Sequence, residues 1–286
     1  MEGQVRQSMI KSDTLLTADG VQLNLLRAGP GNRRHSSKTI VMLIPGWCMP
    51  ATIWRQTMTA LAPDFEVIAI DPRGQGASAV PAHGYHIDQR ADDIAQCVAH
   101  AVDPVGHEVV MVGWSLGALE ALHYVHRHGE TKLKGLVLVD SSVGEDPAIP
   151  AAQGFRDALG TDRHGTLERF VRAMFRTPRP EAEIEALTAG ALRLPLEASL
   201  TLFPSHLPRE HWRGITRALC APLLYAVTPQ FAAQAEHLGN VRSETRIEIF
   251  ENAGHALFVD APDRFNRMLA AFAEQPARDL CDGGLG

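Results

Sequence analysis

The segment Gly113-Trp114-Ser115-Leu116-Gly117 narrows more than any other what this chain can fold into. The aliphatic and β-branched run Glu108 to Val112 precedes it and a helical pattern from Leu116 to Val125 follows it. A strand must therefore reverse into a helix within a few residues. That turn is tight and strained, and glycines on both sides let strand and helix approach while Ser115 stands at the apex. The helix amino terminus directs unpaired N–H groups toward the serine oxygen. Gly-x-Ser-x-Gly with these flanks marks Ser115 as a nucleophile, with the Leu116 N–H as one donor to an oxyanion.

The rest of the chain supplies a matching frame. Leu15 to Leu26 alternates around Asp19-Gly20, which predicts a β-hairpin. Continuous apolar runs follow at Thr39–Ile44, Glu66–Ile70, Glu108–Val112, Leu136–Val139, Leu223–Val227 and Arg246–Phe250, as expected of strands buried on both faces. Helical spacing separates them at Ile53–Leu61, Ile87–Val102, Leu116–Val125, Phe231–Leu238 and Phe265–Phe272. Such alternation predicts an α/β fold, a mostly parallel eight-stranded sheet with helices on both faces. Residues 145–219 break the rhythm. They show no strand, only helical spacing at Phe155–Leu159, Leu167–Phe175, Ile184–Leu192 and Leu196–Leu202, interrupted by Pro178, Pro180, Pro195, Pro204 and Pro208. We read them as a helical cap inserted into a core made of residues 1–144 and 220–277, with 278–286 as a disordered tail.

Charge and cysteine usage exclude several function classes. Lys plus Arg number 27 and Asp plus Glu 33, a formal charge of −6, which repels phosphate backbones and anionic membrane surfaces. Neither nucleic acid nor membrane is expected as a partner, a small-molecule substrate is, and a homodimer is allowed. The four cysteines, Cys48, Cys97, Cys220 and Cys281, form no close pair, so neither a zinc ribbon nor a disulfide framework is available. With no apolar leader after Met1 and no long apolar run, a cytoplasmic setting is expected.

A serine nucleophile needs a base. Asn252-Ala253-Gly254-His255 follows the last apolar run and precedes the last helix, which puts His255 on a loop at the same sheet edge as Ser115. His123, His126 and His128 share one helix, but nothing completes a metal site, so they read as a solvated face. Asp92-Asp93 near a helix start read as partners of its dipole. In the cap, Phe170, Met174, Phe175, Leu192, Leu194 and Phe203 are candidates for lining an apolar pocket.

Together with Pro45-Gly46-Trp47, Asp71-Pro72-Arg73-Gly74-Gln75-Gly76-Ala77-Ser78 and Asp260-Ala261-Pro262, these segments resemble the α/β-hydrolase superfamily, in its capped branch of small esterases, perhydrolases and C–C hydrolases. The order Ser first and His near the end agrees. The resemblance implies Trp47 as the second oxyanion donor, with Pro45-Gly46 in place of the usual His-Gly, and the Arg73 to Ser78 turn as structural. It also implies that Trp47, Trp114 and Phe175 touch the substrate. The family's usual acid is missing: Ala226-Val227-Thr228-Pro229-Gln230 holds no carboxylate. Some members take the acid from the end of the strand before the cap, where this chain has Asp140. Glu145, Asp146 and Glu236 are the alternatives.

The function these residues imply is a serine hydrolase of a small, mainly apolar carboxylic ester, working through Ser115, His255 and Asp140 without metal or organic cofactor. Two other readings stay open. Gly46-Trp47-Cys48 is similar to the oxyanion segment of cofactor-free dioxygenases of hydroxy-oxoquinolines, although those carry histidine where this chain has Leu116. The missing standard acid also allows a non-catalytic small-ligand receptor on the same fold.

Overall fold

In the computed structural model, residues 10–30, 38–102, 106–149 and 153–276 are described; the tail expected at 278–286 lies outside them. Eight strands form one sheet: β1 (Lys11–Leu16), β2 (Gln22–Ala28), β3 (Thr39–Ile44), β4 (Glu66–Asp71), β5 (Glu108–Trp114), β6 (Leu133–Val139), β7 (Leu223–Val227) and β8 (Arg246–Ile249). Their order is β1-β2-β4-β3-β5-β6-β7-β8. The β1–β2 hairpin joins β4 antiparallel, and every later pairing is parallel.

Successive strand side chains point to opposite faces, so one sheet feeds two cores. Val41, Leu43, Val110, Val112, Val137 and Val139 face one cluster, while Ile40, Met42, Val109, Met111, Leu136 and Leu138 face the other. On the flanks lie α1 (Arg55–Leu61), α2 (Ile87–Ala101), α3 (Leu116–His128), and, after the inserted segment, α9 (Ala232–Val241), α10 (Leu257–Asp260) and α11 (Pro262–Ala273). The helix expected from Ile53 begins instead as a 3₁₀ turn, Ala51–Trp54.

Between β6 and β7 come α4 (Gln153–Thr161), α5 (Arg163–Ala173), α6 (Glu181–Leu192), α7 (Leu196–Thr201) and α8 (Arg209–Ala218). The last of these was not anticipated. Pro204 and Pro208 read as breakers, yet Pro208 is the residue before the first turn of α8, a position where its fixed φ and missing N–H cost nothing.

Two surface motifs read differently in the fold, the first of them because of α8. It brings His211 to 3.2 Å from His123, whose other ring nitrogen meets Asp88 at 2.6 Å, so His123 is buried rather than solvated. Asp93, expected to serve a helix dipole, is buried against Arg73, with its oxygens 2.6 Å from Nε and Nη2; Asp92 pairs with Arg127 and His128. Charge pairing across elements outweighs a dipole contribution of well under about 1 kcal/mol.

Candidate active site

Ser115, Asp140, Thr228 and His255 all lie just beyond the carboxyl ends of strands, on one edge of the sheet, where ligand sites of open α/β sheets form. Strain concentrates at the same place. Among the described residues the non-glycine positions with positive φ are Cys48 (57°), Ser115 (54°) and Asp140 (45°), each costing on the order of 1–3 kcal/mol that the surrounding packing must offset.

At Ser115 the offset is visible. A Cβ on Gly113 would sit 2.3 Å from Gly117 O, and one on Gly117 would sit 2.6 Å from Ile44 O and from Pro45 O. Only glycines let α3 close onto β5 and the end of β3. The Ser115 N–H donates to Val139 O at 2.9 Å, which ties the turn to β6. Leu116 is the first residue of α3, so its N–H is among those a helix leaves without an intrahelical acceptor.

Asp140 is fully buried and uses both carboxylate oxygens. Oδ2 lies 2.7 Å from Nδ1 of His255, and Oδ1 accepts from the backbone N–H of Thr228 at 2.7 Å. Thr228 stands just past the end of β7, in the region where the family's usual acid was sought, and there its amide holds the Asp140 carboxylate of the neighbouring strand. Two of the three other candidate carboxylates are engaged elsewhere. Burial disfavours the charged form of Glu145, but hydrogen bonds from Arg217 at 2.6 Å and His237 at 2.7 Å hold its carboxyl below the usual range. Asp146 is paired with Arg209 at 2.8 Å, and Glu236 is exposed on α9.

His255 is held from several sides. Its carbonyl accepts from Trp114 Nε1 at 2.8 Å, and Trp114 is buried. This corrects the expectation for Trp114: strand alternation turns its indole inward, where it supports the histidine loop instead of lining the pocket. Asp260 fastens the loop to the inserted segment, accepting from Gly254 N at 2.7 Å, Arg176 N at 2.8 Å and Thr177 N at 3.0 Å. Ala256 N donates to Met174 O at 2.8 Å.

A cavity of about 390 Å³ opens over Ser115. Its walls are almost wholly apolar: Trp47, Leu116, Leu119, Phe155, Phe170 and Phe203, with Ser141 as the other hydroxyl. Trp47 stacks on Phe203 at 5.2 Å and meets Phe155 and Phe170 edge-on at 5.5 and 5.4 Å. Its indole N–H donates to Ser199 O on α7 at 2.7 Å. Phe170 and Phe203 thus line the cavity as expected, and Phe155 joins them. Phe175 does not. Just past the end of α5, it faces a separate cleft with Arg172, Arg176 and Arg179, because the chain turns there toward Asp260. Met174 and Leu194 are buried in the core.

Among the described residues no group of three or more His, Cys, Asp or Glu is placed to hold a metal ion, and no helix is long and apolar enough to cross a membrane. The profile of the alpha/beta hydrolase family matches residues 41–268. Among curated proteins, a pimeloyl-(acyl-carrier protein) methyl ester esterase of Vibrio atlanticus is 26% identical over 254 residues, covering 82% of this chain and 94% of that protein. A non-heme haloperoxidase of Rhodococcus erythropolis is 34% identical over 134 residues, 43% of this chain and 47% of its own. Among solved structures, an esterase from Exiguobacterium antarcticum superposes with TM-score 0.79 at 20% identity, covering 93% of this chain and 100% of that one. A putative aryl esterase from Burkholderia cenocepacia gives 0.75 at 25% identity, covering 92% and 97%.

Proposed function

The chain belongs to the alpha/beta hydrolase family, and from that premise we propose that it is a serine hydrolase of small carboxylic esters with an apolar acyl group. The observation that carries this reading is the 2.7 Å contact between Asp140 Oδ2 and His255 Nδ1 beside a strained Ser115 that opens into an apolar cavity. Asp140 keeps the proton of His255 on Nδ1, which leaves Nε2 free as a base. Ser115 Oγ gives its proton to Nε2 and attacks the acyl carbon. The N–H groups of Leu116 and Trp47 stabilise the oxyanion, each donor worth roughly 3 kcal/mol in comparable sites. The tetrahedral intermediate collapses as His255 protonates the leaving alkoxide, and water then releases the acyl group by the same steps in reverse.

The inserted residues 145–219 act as the cap that shapes the acyl site. Phe155, Phe170 and Phe203 come from it, and a cavity of about 390 Å³ suits a short aliphatic or aromatic acid. That several relatives are named esterases supports the same class.

The test is a pre-steady-state burst with para-nitrophenyl esters together with labelling by an organophosphonate. A burst equal to the enzyme concentration and stoichiometric labelling of Ser115, both absent in Ser115→Ala, are expected. Turnover that survives Ser115→Ala would overturn the reading, and oxygen uptake with a hydroxyquinolone would favour the dioxygenase alternative.

A further inference from the structure

The turn Asp71 to Ser78 reaches the Gly46–Met49 loop through the side chain of Gln75. Gln75 is buried, and its amide nitrogen donates to Gly46 O at 3.2 Å and to Met49 O at 2.8 Å, so both N–H bonds are used on the Gly46–Met49 loop. Its amide oxygen accepts from Arg90 Nη2 at 3.3 Å. Two carbonyls on one side and a guanidinium on the other allow only this amide orientation. Arg90, also buried, is fixed in turn by the buried Glu120, at 2.8 Å from Nε and 3.1 Å from Nη2, and by Arg73 O at 3.2 Å. Glu120 belongs to α3, the helix that starts at Leu116.

The Gly46 carbonyl and the Trp47 N–H are two ends of one planar trans peptide, so they point in opposite directions. A hydrogen bond that fixes the oxygen therefore aims the N–H. The Gly46–Met49 loop needs such a hold, since Cys48 within it has φ 57°. Gly46 O also accepts from Met49 N at 3.1 Å, a bond internal to the loop that cannot orient it against the rest of the molecule. Gln75 holds the Gly46 carbonyl from outside the loop, whereas the Trp47 indole bond to Ser199 O fixes a side chain and not this peptide; through Arg90 and Glu120 it refers the peptide to the same helix that carries the other oxyanion donor.

We propose that Gln75 is a positioning residue for oxyanion stabilisation: by holding Gly46 O it directs the Trp47 N–H at the developing oxyanion, in register with the Leu116 N–H. The proposal rests on the serine-hydrolase reading above. Buried polar networks of this kind fix geometry only when every member is satisfied, so one donor lost at Gln75 frees the loop.

The experiment uses Gln75→Met, which keeps the volume and removes the donor, and Gln75→Glu, which keeps the shape and turns the donor into an acceptor. Para-nitrophenyl butyrate reports kcat and KM. A hexyl trifluoromethyl ketone reports the oxyanion directly, since Ser115 Oγ adds to its carbonyl carbon while its proton passes to His255 Nε2, and the carbonyl oxygen becomes a hemiketal oxyanion whose ionisation is read by fluorine NMR. Misaiming one donor should lower kcat about 10- to 100-fold with KM within about twofold. Ketone affinity should fall by the same factor, and the hemiketal should ionise about one to two pH units higher.

A folded variant of either kind with kcat and hemiketal ionisation near wild type would overturn the proposal. So would a loss of kcat with unchanged hemiketal ionisation, because that is what a purely structural defect gives. If Gln75→Met does not fold, Gln75→Glu decides. Failure of the underlying reading looks different: wild-type enzyme would form no ketone adduct, and Ser115→Ala would retain turnover.

Discussion

Replacing Asp140 by asparagine should abolish most activity while leaving the fold intact, and the surroundings of the carboxylate say why. Oδ1 accepts from the buried Thr228 N–H and Oδ2 from His255 Nδ1, both at 2.7 Å. An asparagine has one acceptor and one donor for these two donors. If its oxygen stays on Thr228, its NH₂ faces His255 and forces Nδ1 to be the acceptor; the imidazole proton then sits on Nε2, and no base faces Ser115. The opposite orientation sets NH₂ against the Thr228 N–H, a buried donor left unsatisfied at a cost of about 1–3 kcal/mol. The first orientation therefore prevails, and with it the wrong tautomer. Comparable changes in serine proteases cost about 10⁴ in rate, or about 5.4 kcal/mol at 1.36 kcal/mol per decade. Asparagine tolerates positive φ, so the 45° at position 140 is no obstacle to folding. The assay is kcat/KM for para-nitrophenyl butyrate beside a thermal melt and phosphonate titration of active sites. An Asp140→Asn enzyme that keeps more than about a tenth of wild-type kcat/KM would refute the reasoning. A Glu145→Gln or Asp146→Asn enzyme that loses more than Asp140→Asn would refute it as well.

Three further outcomes are expected. Phe170→Ala should move the kcat/KM ratio between longer and shorter acyl esters roughly tenfold toward the longer, whereas Phe175→Ala, outside the cavity, should leave the ratio unchanged; an ester chain-length series measures both. Asp260→Asn should lower stability by about 1.5–3 kcal/mol in a denaturant titration and reduce kcat, since it loosens Gly254 beside His255. At Asp260 burial would push the carboxyl up, but hydrogen bonds from Thr177, Arg176 and Gly254 outweigh it and hold the group below its usual value. Its contribution is therefore present above the unfolded value and lost as pH falls through the folded one. The His123–His211 pair has the same sign: burial holds both imidazoles below their usual value, helped at His211 by His123 and His126 and opposed at His123 by Asp88. Stability should fall as pH drops below about 6.5, where the unfolded histidines take up protons. A melting temperature that does not change between about pH 7 and pH 5.5, or a His211→Phe variant with the same pH dependence as wild type, would contradict this.

Local chemistry alone determined the frame of this protein. Alternation around a turn, continuous apolar runs, helical spacing and paired glycines are features of neighbouring residues, so the β1–β2 hairpin, the parallel strands, the turn at Ser115 and four of the helices between β6 and β7 were legible from the chain. His255 was legible too, because its place after β8 depends only on element order. What the chain could not disclose are contacts between residues far apart in sequence whose outcome depends on which side chain reaches first. The resemblance named Asp140 first but left Glu145, Asp146 and Glu236 as alternatives; in the fold Asp140 is the one that meets His255, across 115 positions, while Glu145, five residues further on, is drawn to Arg217 and His237. Trp114 and Phe175 are as apolar as any pocket residue, yet strand alternation buries the first behind His255 and a chain reversal at Asp260 carries the second into another cleft. His123 looks solvated until α8 covers it. Gln75 shows the limit most plainly: an amide within a glycine turn carries no motif of its own, and only the folded chain brings it against the two carbonyls it holds.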